Sequence, residues 1–194
     1  MVGLADEPSR WLVRESRDIH RDSWVVGLRE DVVQRPDHPE TLHRLVLEHP
    51  GAVVVLAIDS DRRVCCLRQY RHAGGGDFIE LPAGLLDKDG EDPAVTAARE
   101  LREEVELQAE DWRHLLTIYP SAGITTELQH LYLARGLSHA DRGDFELRGE
   151  EAEMEKFWAP VDELLEAVLV GQVREGPLVA AVLAFDALER RGRL

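Results

Sequence analysis

The sequence predicts a mixed α/β domain with helices packed on sheets, preceded by a small antiparallel β unit. Three observations carry that expectation. Short apolar or alternating segments separated by turns fill the first 49 residues, a continuous apolar run occupies Ala52–Ile58, and a well-capped amphipathic helix starts at Pro93. A chain of 194 residues, 44% hydrophobic and 31% charged, suits a soluble core domain with a small appendage. The expected division is residues 1–49 for the β unit and 50–194 for the main domain.

In chain order, the first unit holds strands at Trp11–Val13, Trp24–Leu28 and Leu42–Leu47, with Gln34-Arg35-Pro36-Asp37 as a break. Ala52–Ile58 reads as a buried strand, Asp59–Arg62 as a turn and Val64–Tyr70 as the hairpin partner. Phe78–Leu81 is a further short strand. Asp92 is a good N-cap, and Pro93 fits the first helical position, where its missing N–H costs nothing. The core stripe of this helix is Ala94, Ala98, Leu101 and Val105. Strands follow at Trp112–Tyr119 and Leu128–Leu133, then an acidic loop at Asp141–Glu153 and a strand at Lys156–Trp158. Helices at Val161–Val170 and Leu178–Arg190 close the chain, with Pro177 near the start of the second.

Composition excludes several classes of function. A net charge of −15 argues against a nucleic-acid binder, whose affinity comes from Lys and Arg on phosphates. No stretch is long and apolar enough to span a bilayer, and the start lacks the pattern of a secretory leader, so no membrane contact is expected and the cytoplasm is the expected address. The only two cysteines, Cys65 and Cys66, are neighbours in an expected strand, where successive side chains point to opposite faces, which argues against a pair between them. Gly74-Gly75-Gly76 lacks the following Lys and reads as a turn rather than a phosphate loop. The eight histidines show no metal-ligand spacing.

Glu100, Glu103 and Glu104 stand at i, i+3 and i+4 of the predicted helix, so their carboxylates share one side. Such like-charge pairs cost roughly 0.2–0.5 kcal/mol each, and more in a cleft. Most glutamate runs are solvated helix faces. A hard divalent cation bound through oxygen would turn the repulsion into ligation.

The surroundings of these glutamates select the second reading. From Gly84 through Glu91 to Arg99-Glu100-Leu101-Arg102-Glu103-Glu104-Val105-Glu106-Leu107, the segment resembles the Nudix box. The seven residues between Glu91 and Arg99 match the family spacing, as does the run Arg99–Val105. Two departures stand out: the Gly84-to-Glu91 gap is one residue longer, and Glu106 occupies the place of a glycine. Gln69-Tyr70-Arg71, Glu80-Leu81-Pro82-Ala83-Gly84 and Gly123 to Glu127 look like the ADP-ribose pyrophosphatase branch of that family. A third departure lies in Tyr119-Pro120-Ser121-Ala122-Gly123, where Ala122 stands at the proline of that branch's Ser-Pro-Gly-like turn.

The resemblance implies a Nudix-type α/β/α sandwich with a mixed sheet. It also implies metal-dependent hydrolysis of the pyrophosphate bond of a nucleoside-diphosphate sugar. The leading substrate is ADP-ribose, cleaved to AMP and ribose 5-phosphate, with GDP-mannose and UDP-glucose as alternatives. A non-catalytic nucleotide sensor is the rival from another class. Mg²⁺, with Mn²⁺ as a substitute, is the implied cofactor, held by Glu100, Glu104 and the Ala83 carbonyl, with Glu103 as a secondary or bridging ligand. Arg99 is expected to orient one of these acids. The general base is expected in the loop Gly149–Met154, at Glu151 by position, with Glu150 and Glu153 in reserve. Arg71, Glu80 and Trp24 are the expected substrate contacts, and Phe78 is a second aromatic available to stack on a base. Residues 1–49 are expected to build a homodimer, the alternative being that they only cap the domain's own sheet.

Overall fold

In the computed structural model the described residues are 3–23, 25–147 and 149–194, the side chains of Glu150 and Glu151 apart. They fall into two compact units, one of residues 1–49 with 121–127 and one of residues 50–120 with 128–194.

The first unit is an antiparallel sheet of β1 (Leu12–His20), β2 (Gly27–Gln34) and β3 (Thr41–Glu48), in that order. Residues 121–127 join the free edge of β3: Leu47 N–H donates to the Ile124 carbonyl at 2.7 Å, and Thr126 N–H donates to that of Leu47 at 3.0 Å. Both β1 and β2 run well beyond the expected segments, through the charged stretches Glu15–His20 and Arg29–Gln34. Cross-strand pairing explains the extension, because the charges meet partners across the ladder. The Ser16 hydroxyl donates to Asp31 at 2.6 Å and Arg17 Nε donates to Glu30 at 2.8 Å, while Arg21 and Arg29 both reach Glu48. The expected strand at Trp24–Leu28 is thus corrected to a later start at Gly27. Trp24 itself lies outside the described residues.

In the second unit, β4 (Ala52–Ala57) is buried along its whole length, which a continuous apolar run requires of a strand covered on both faces. It lies between β7 (Ala83–Leu85, antiparallel) and β9 (Gln129–His139, parallel), with β8 (Leu107–Ile118) antiparallel beyond β9. This is a mixed sheet in the order β7-β4-β9-β8. A second, antiparallel sheet has β5 (Arg63–Arg71) between β10 (Glu155–Pro160) and β6 (Gly76–Glu80). The expected hairpin of β4 with β5 is therefore not formed. Both edges of β4 are taken by β7 and β9, and only an isolated bridge between Ile58 and Val64 survives at the turn.

Alternation along β4 sorts the core into two layers. Val53, Val55 and Ala57 pack with Ala97, Leu101 and Val105 of α1 (Pro93–Val105). Val54, Leu56 and Ile58 pack with Leu164 and Leu165 of α2 (Val161–Leu169) and with Leu178, Ala181, Val182 and Phe185 of α3 (Gly176–Glu189). Helices thus cover both sides of the sheets, an α/β/α sandwich. Cys65 and Cys66 fall one in each layer, and burial pushes both thiols up to about 12. None of the described helices is long and apolar enough to cross a membrane.

Helix α1 begins as expected, with Asp92 Oδ1 accepting from Ala94 N–H at 2.8 Å and Pro93 in the first turn. One position of its stripe is corrected. Ala97 is buried and Ala98 exposed, because the helix turns Ala97, Leu101 and Val105 onto β4, and this rotation also buries Glu100. The helix ends at Glu106, whose φ of 56° and ψ of 43° are left-handed. A glutamate thus adopts the conformation that glycine takes at a helix end, at a cost on the order of 1 kcal/mol.

Candidate active site

The site is built where α1 crosses β7. Gly84 lies so close to the helix that a Cβ on it would sit 2.1 Å from Glu100 Cδ, so only glycine lets that carboxylate lie against the strand. Glu100 is buried at 8% exposure, uncommon for a glutamate. One residue away, Ala83 N–H donates to Glu104 Oε2 at 2.9 Å. The expected ligands Ala83, Glu100 and Glu104 are therefore neighbours, and Gly84 is what allows it.

Arg99 gathers the remaining acids. Its Nη1 lies 2.6 Å from Glu100 Oε1 and 3.0 Å from Glu103 Oε2, and its Nη2 lies 3.3 Å from Glu91 Oε2. Burial by itself would lower the pKa of this guanidinium, but Glu100, Glu103 and Glu91 outweigh it and raise the value. Glu91 in turn accepts from the Thr96 hydroxyl at 2.8 Å, and that bond, followed by the one from Arg99, holds its carboxyl below the usual range against the opposing effect of burial. The expected link of Arg99 to the acids is present as a three-way contact rather than a single surface salt bridge. Arg99 Nε is buried without a hydrogen-bond partner among the described residues.

Three glutamates, with Asp87 at 4.0 Å, thus surround one arginine, an excess of negative charge that a bound cation would offset. Glu100 and Glu103 are turned onto Arg99 and Glu104 onto a backbone N–H, and among the described residues no three His, Cys, Asp or Glu side chains converge on one point. The donor set still suits a hard divalent ion, being all oxygen, with a glycine cradle holding one carboxylate in place.

Arg71 and Glu80 also meet. Arg71 Nε donates to both Glu80 oxygens at 2.9 and 3.1 Å, and Nη2 donates to Oε2 at 2.5 Å, a forked pairing on adjacent strands β5 and β6. They line a pocket of about 350 Å³ with Phe78, Gly74, Arg174, Glu175 and Gly176. Phe78 packs so tightly on Gly74 that a Cβ there would sit 2.5 Å from its ring. Arg174 and Glu175, at the start of α3, were not expected from the sequence, where they stand in an unremarkable stretch before Pro177. Glu91 carries a signal, its place in the box, but its bonds to Thr96 and Arg99 were not legible there.

The candidate base region is a 3-10 turn at Gly149–Glu153, and Glu153 is exposed. The side chains of Glu150 and Glu151 lie outside the described residues, as does Trp24.

A helix of paired carboxylates thus stands beside a glycine-marked strand end on an α/β/α sandwich. The NUDIX domain family matches residues 47–181, and the chain belongs to that family. Relatives agree: the chain is 42% identical over 164 residues to an ADP-ribose pyrophosphatase of Mycobacterium tuberculosis, covering 84% of this chain and 78% of that protein. It is 38% identical over 181 residues to a CMP-5'-(N-acetyl-N-hydroxy-3-aminopropyl)phosphonate hydrolase of Streptomyces rubellomurinus, covering 92% and 84%. The fold matches a solved ADP compounds hydrolase at a TM-score of 0.74 and 18% identity, over 98% of this chain and 100% of that one. The protein is a Nudix pyrophosphohydrolase.

Proposed function

We propose that the protein hydrolyses the pyrophosphate bond of a nucleoside-diphosphate sugar, with ADP-ribose, split into AMP and ribose 5-phosphate, as the leading substrate. The carrying observation is the seat of Glu100 against Gly84 beside Glu104 on Ala83, in a family whose member from Mycobacterium tuberculosis bears that activity in its name.

Glu100, Glu104 and the Ala83 carbonyl would hold Mg²⁺, or Mn²⁺ in its place, with Glu103 as the secondary ligand. When bound, the cation supplies charge neutralisation on the phosphoryl oxygens and a more acidic water. The chain's own residues do the rest. Arg99 holds Glu100 and Glu103 in one orientation. Glu151 accepts the proton of the attacking water, with Glu150 and Glu153 as the neighbouring alternatives. Arg71, fixed by Glu80, presents a guanidinium edge to the diphosphate, and Phe78 offers an apolar face beside it. Trp24 is the proposed second aromatic contact. Residues 1–49 form the proposed homodimer contact, since Leu12, Val13, Ile19 and Leu45 of its sheet are exposed at about half their area.

Ala122 in place of the branch's proline favours keeping a second reading, in which the nucleoside or sugar differs. A relative named for hydrolysis of a CMP-linked phosphonate supports keeping that reading. A panel of ADP-ribose, GDP-mannose, UDP-glucose and CMP-linked compounds, assayed with Mg²⁺ for nucleoside monophosphate release, decides between them. Fastest turnover of ADP-ribose is the expected result; preference for any other member moves the substrate, and no turnover of any removes the proposal.

A further inference from the structure

The last turn of α1 leaves backbone carbonyls without intrahelical donors, and residues from both ends of the acidic loop satisfy them. At the start of the loop, Ala140 N–H donates to the Glu106 carbonyl at 3.0 Å, and Arg142 Nη2 reaches that of Glu104 at 3.5 Å. Arg102 Nε donates back to the Asp141 carbonyl at 2.5 Å. Beyond the loop, Lys156 Nζ donates to the Val105 carbonyl at 2.9 Å. Two cations at a helix C-terminus also suit its dipole.

Glu106, which replaces the glycine of the box, adds what no glycine provides. Its Oε2 accepts from Arg142 Nη2 at 3.2 Å while its backbone keeps the left-handed exit. Arg142 is three-quarters buried there, its side chain 25% exposed, and its Nε has no hydrogen-bond partner among the described residues. The arginine is therefore held mainly through one end of its guanidinium, and Glu106 is the charged group at that end.

We propose that Glu106 and Arg142 are positioning residues for the hydrolysis: their ion pair clamps the start of the acidic loop to the turn of α1 that carries Glu103 and Glu104. The clamp keeps the loop's carboxylates and the helix's carboxylates in one register. It rests on the reading that the loop supplies the general base.

The test compares Glu106→Gly, which relieves the left-handed backbone, with Glu106→Gln, which keeps an acceptor for Arg142. Turnover is measured on ADP-ribose with Mg²⁺, and amide hydrogen exchange is followed across residues 144–154. In Glu106→Gly, kcat falls about tenfold with KM nearly unchanged and Tm not lowered, and loop exchange accelerates. Glu106→Gln restores most of kcat. Arg142→Met, which also removes the bond to the Glu104 carbonyl, loses at least as much, and the double variant Glu106→Gly with Arg142→Met loses no more than Arg142→Met alone, since the Glu106 contact is already gone there. Unchanged loop exchange in Glu106→Gly, or additive losses in the double variant, overturns the clamp. The exchange readout depends on neither substrate nor base, so faster exchange with wild-type kcat keeps the contact but removes the loop's catalytic role and, with it, the positioning role.

Discussion

The two compact units are held together by different physics. In the second unit β4 is buried on both faces and feeds two apolar layers, whereas in the first unit every residue of β1 is exposed and the ladder is lined by charge pairs. Apolar burial contributes about 25 cal/mol per Å² and resists salt and pH, while exposed ion pairs contribute roughly 0–1 kcal/mol each and are screened. The sheet of the first unit leaves Leu12, Val13, Ile19 and Leu45 exposed at about half their area, which is why it is the proposed contact with a second copy. The unit that carries chemistry is the one whose backbone is fixed by its core.

The strongest way to sharpen that contrast acts on chemistry alone. Glu104→Gln keeps the shape of the side chain and removes one charge, and we expect kcat to drop on the order of 10³-fold, about 4 kcal/mol, with the melting temperature maintained. Turnover within tenfold of wild type would remove Glu104 from the ligand set. Next in size is the core: Leu101→Ala, at a fully buried position between α1 and β4, should destabilise the second unit by about 2–5 kcal/mol in urea unfolding. A loss below about 1 kcal/mol would mean that the layer is less closely packed than described. Placing a charge on the first unit by Leu45→Asp should convert a dimer to a monomer in sedimentation without lowering the stability of the second unit, and a dimer that survives puts the interface elsewhere.

The smallest effect is acid sensitivity. Arg29, then the Ser16 hydroxyl, lowers the pKa of Asp31 against the opposing effect of its burial, and Arg21 and Arg17 do the same for Glu48 and Glu30. A folded pKa below the unfolded one contributes stability that is complete above the ordinary values of 3.8 for Asp and 4.5 for Glu and is lost as pH falls through the lower, folded value. Protection of β1–β3 amides should therefore weaken below about pH 4 before that of β4 does. Simultaneous loss in both units would show that they unfold as one.

What the sequence made legible follows the same division. The apolar run of β4 and the capped start of α1 are local signals, and both stand where periodicity put them. β2 escaped notice past Leu28 because Arg29, Glu30 and Asp31 look like loop until their partners on β1 and β3 are known. The partner of β5 was missed because a short turn after β4 suggests a hairpin, while the strands that fill the edges of β4 come from far along the chain. At the site, the spacing of Glu100, Glu103 and Glu104 was readable. The closeness of Gly84 to Glu100, the fork of Arg71 on Glu80 and the hold of Arg142 on Glu106 were not, since each joins residues whose proximity only the tertiary fold creates.

Cys65 and Cys66 give the contrast between the units an internal clock. They are the only cysteines in the chain, both sit in the second unit, one in each core layer, and burial keeps both as thiols at neutral pH. An alkylating reagent in solution can reach them only when that core opens, so the rate of labelling times the opening of the catalytic unit while remaining blind to fraying of the cysteine-free first unit.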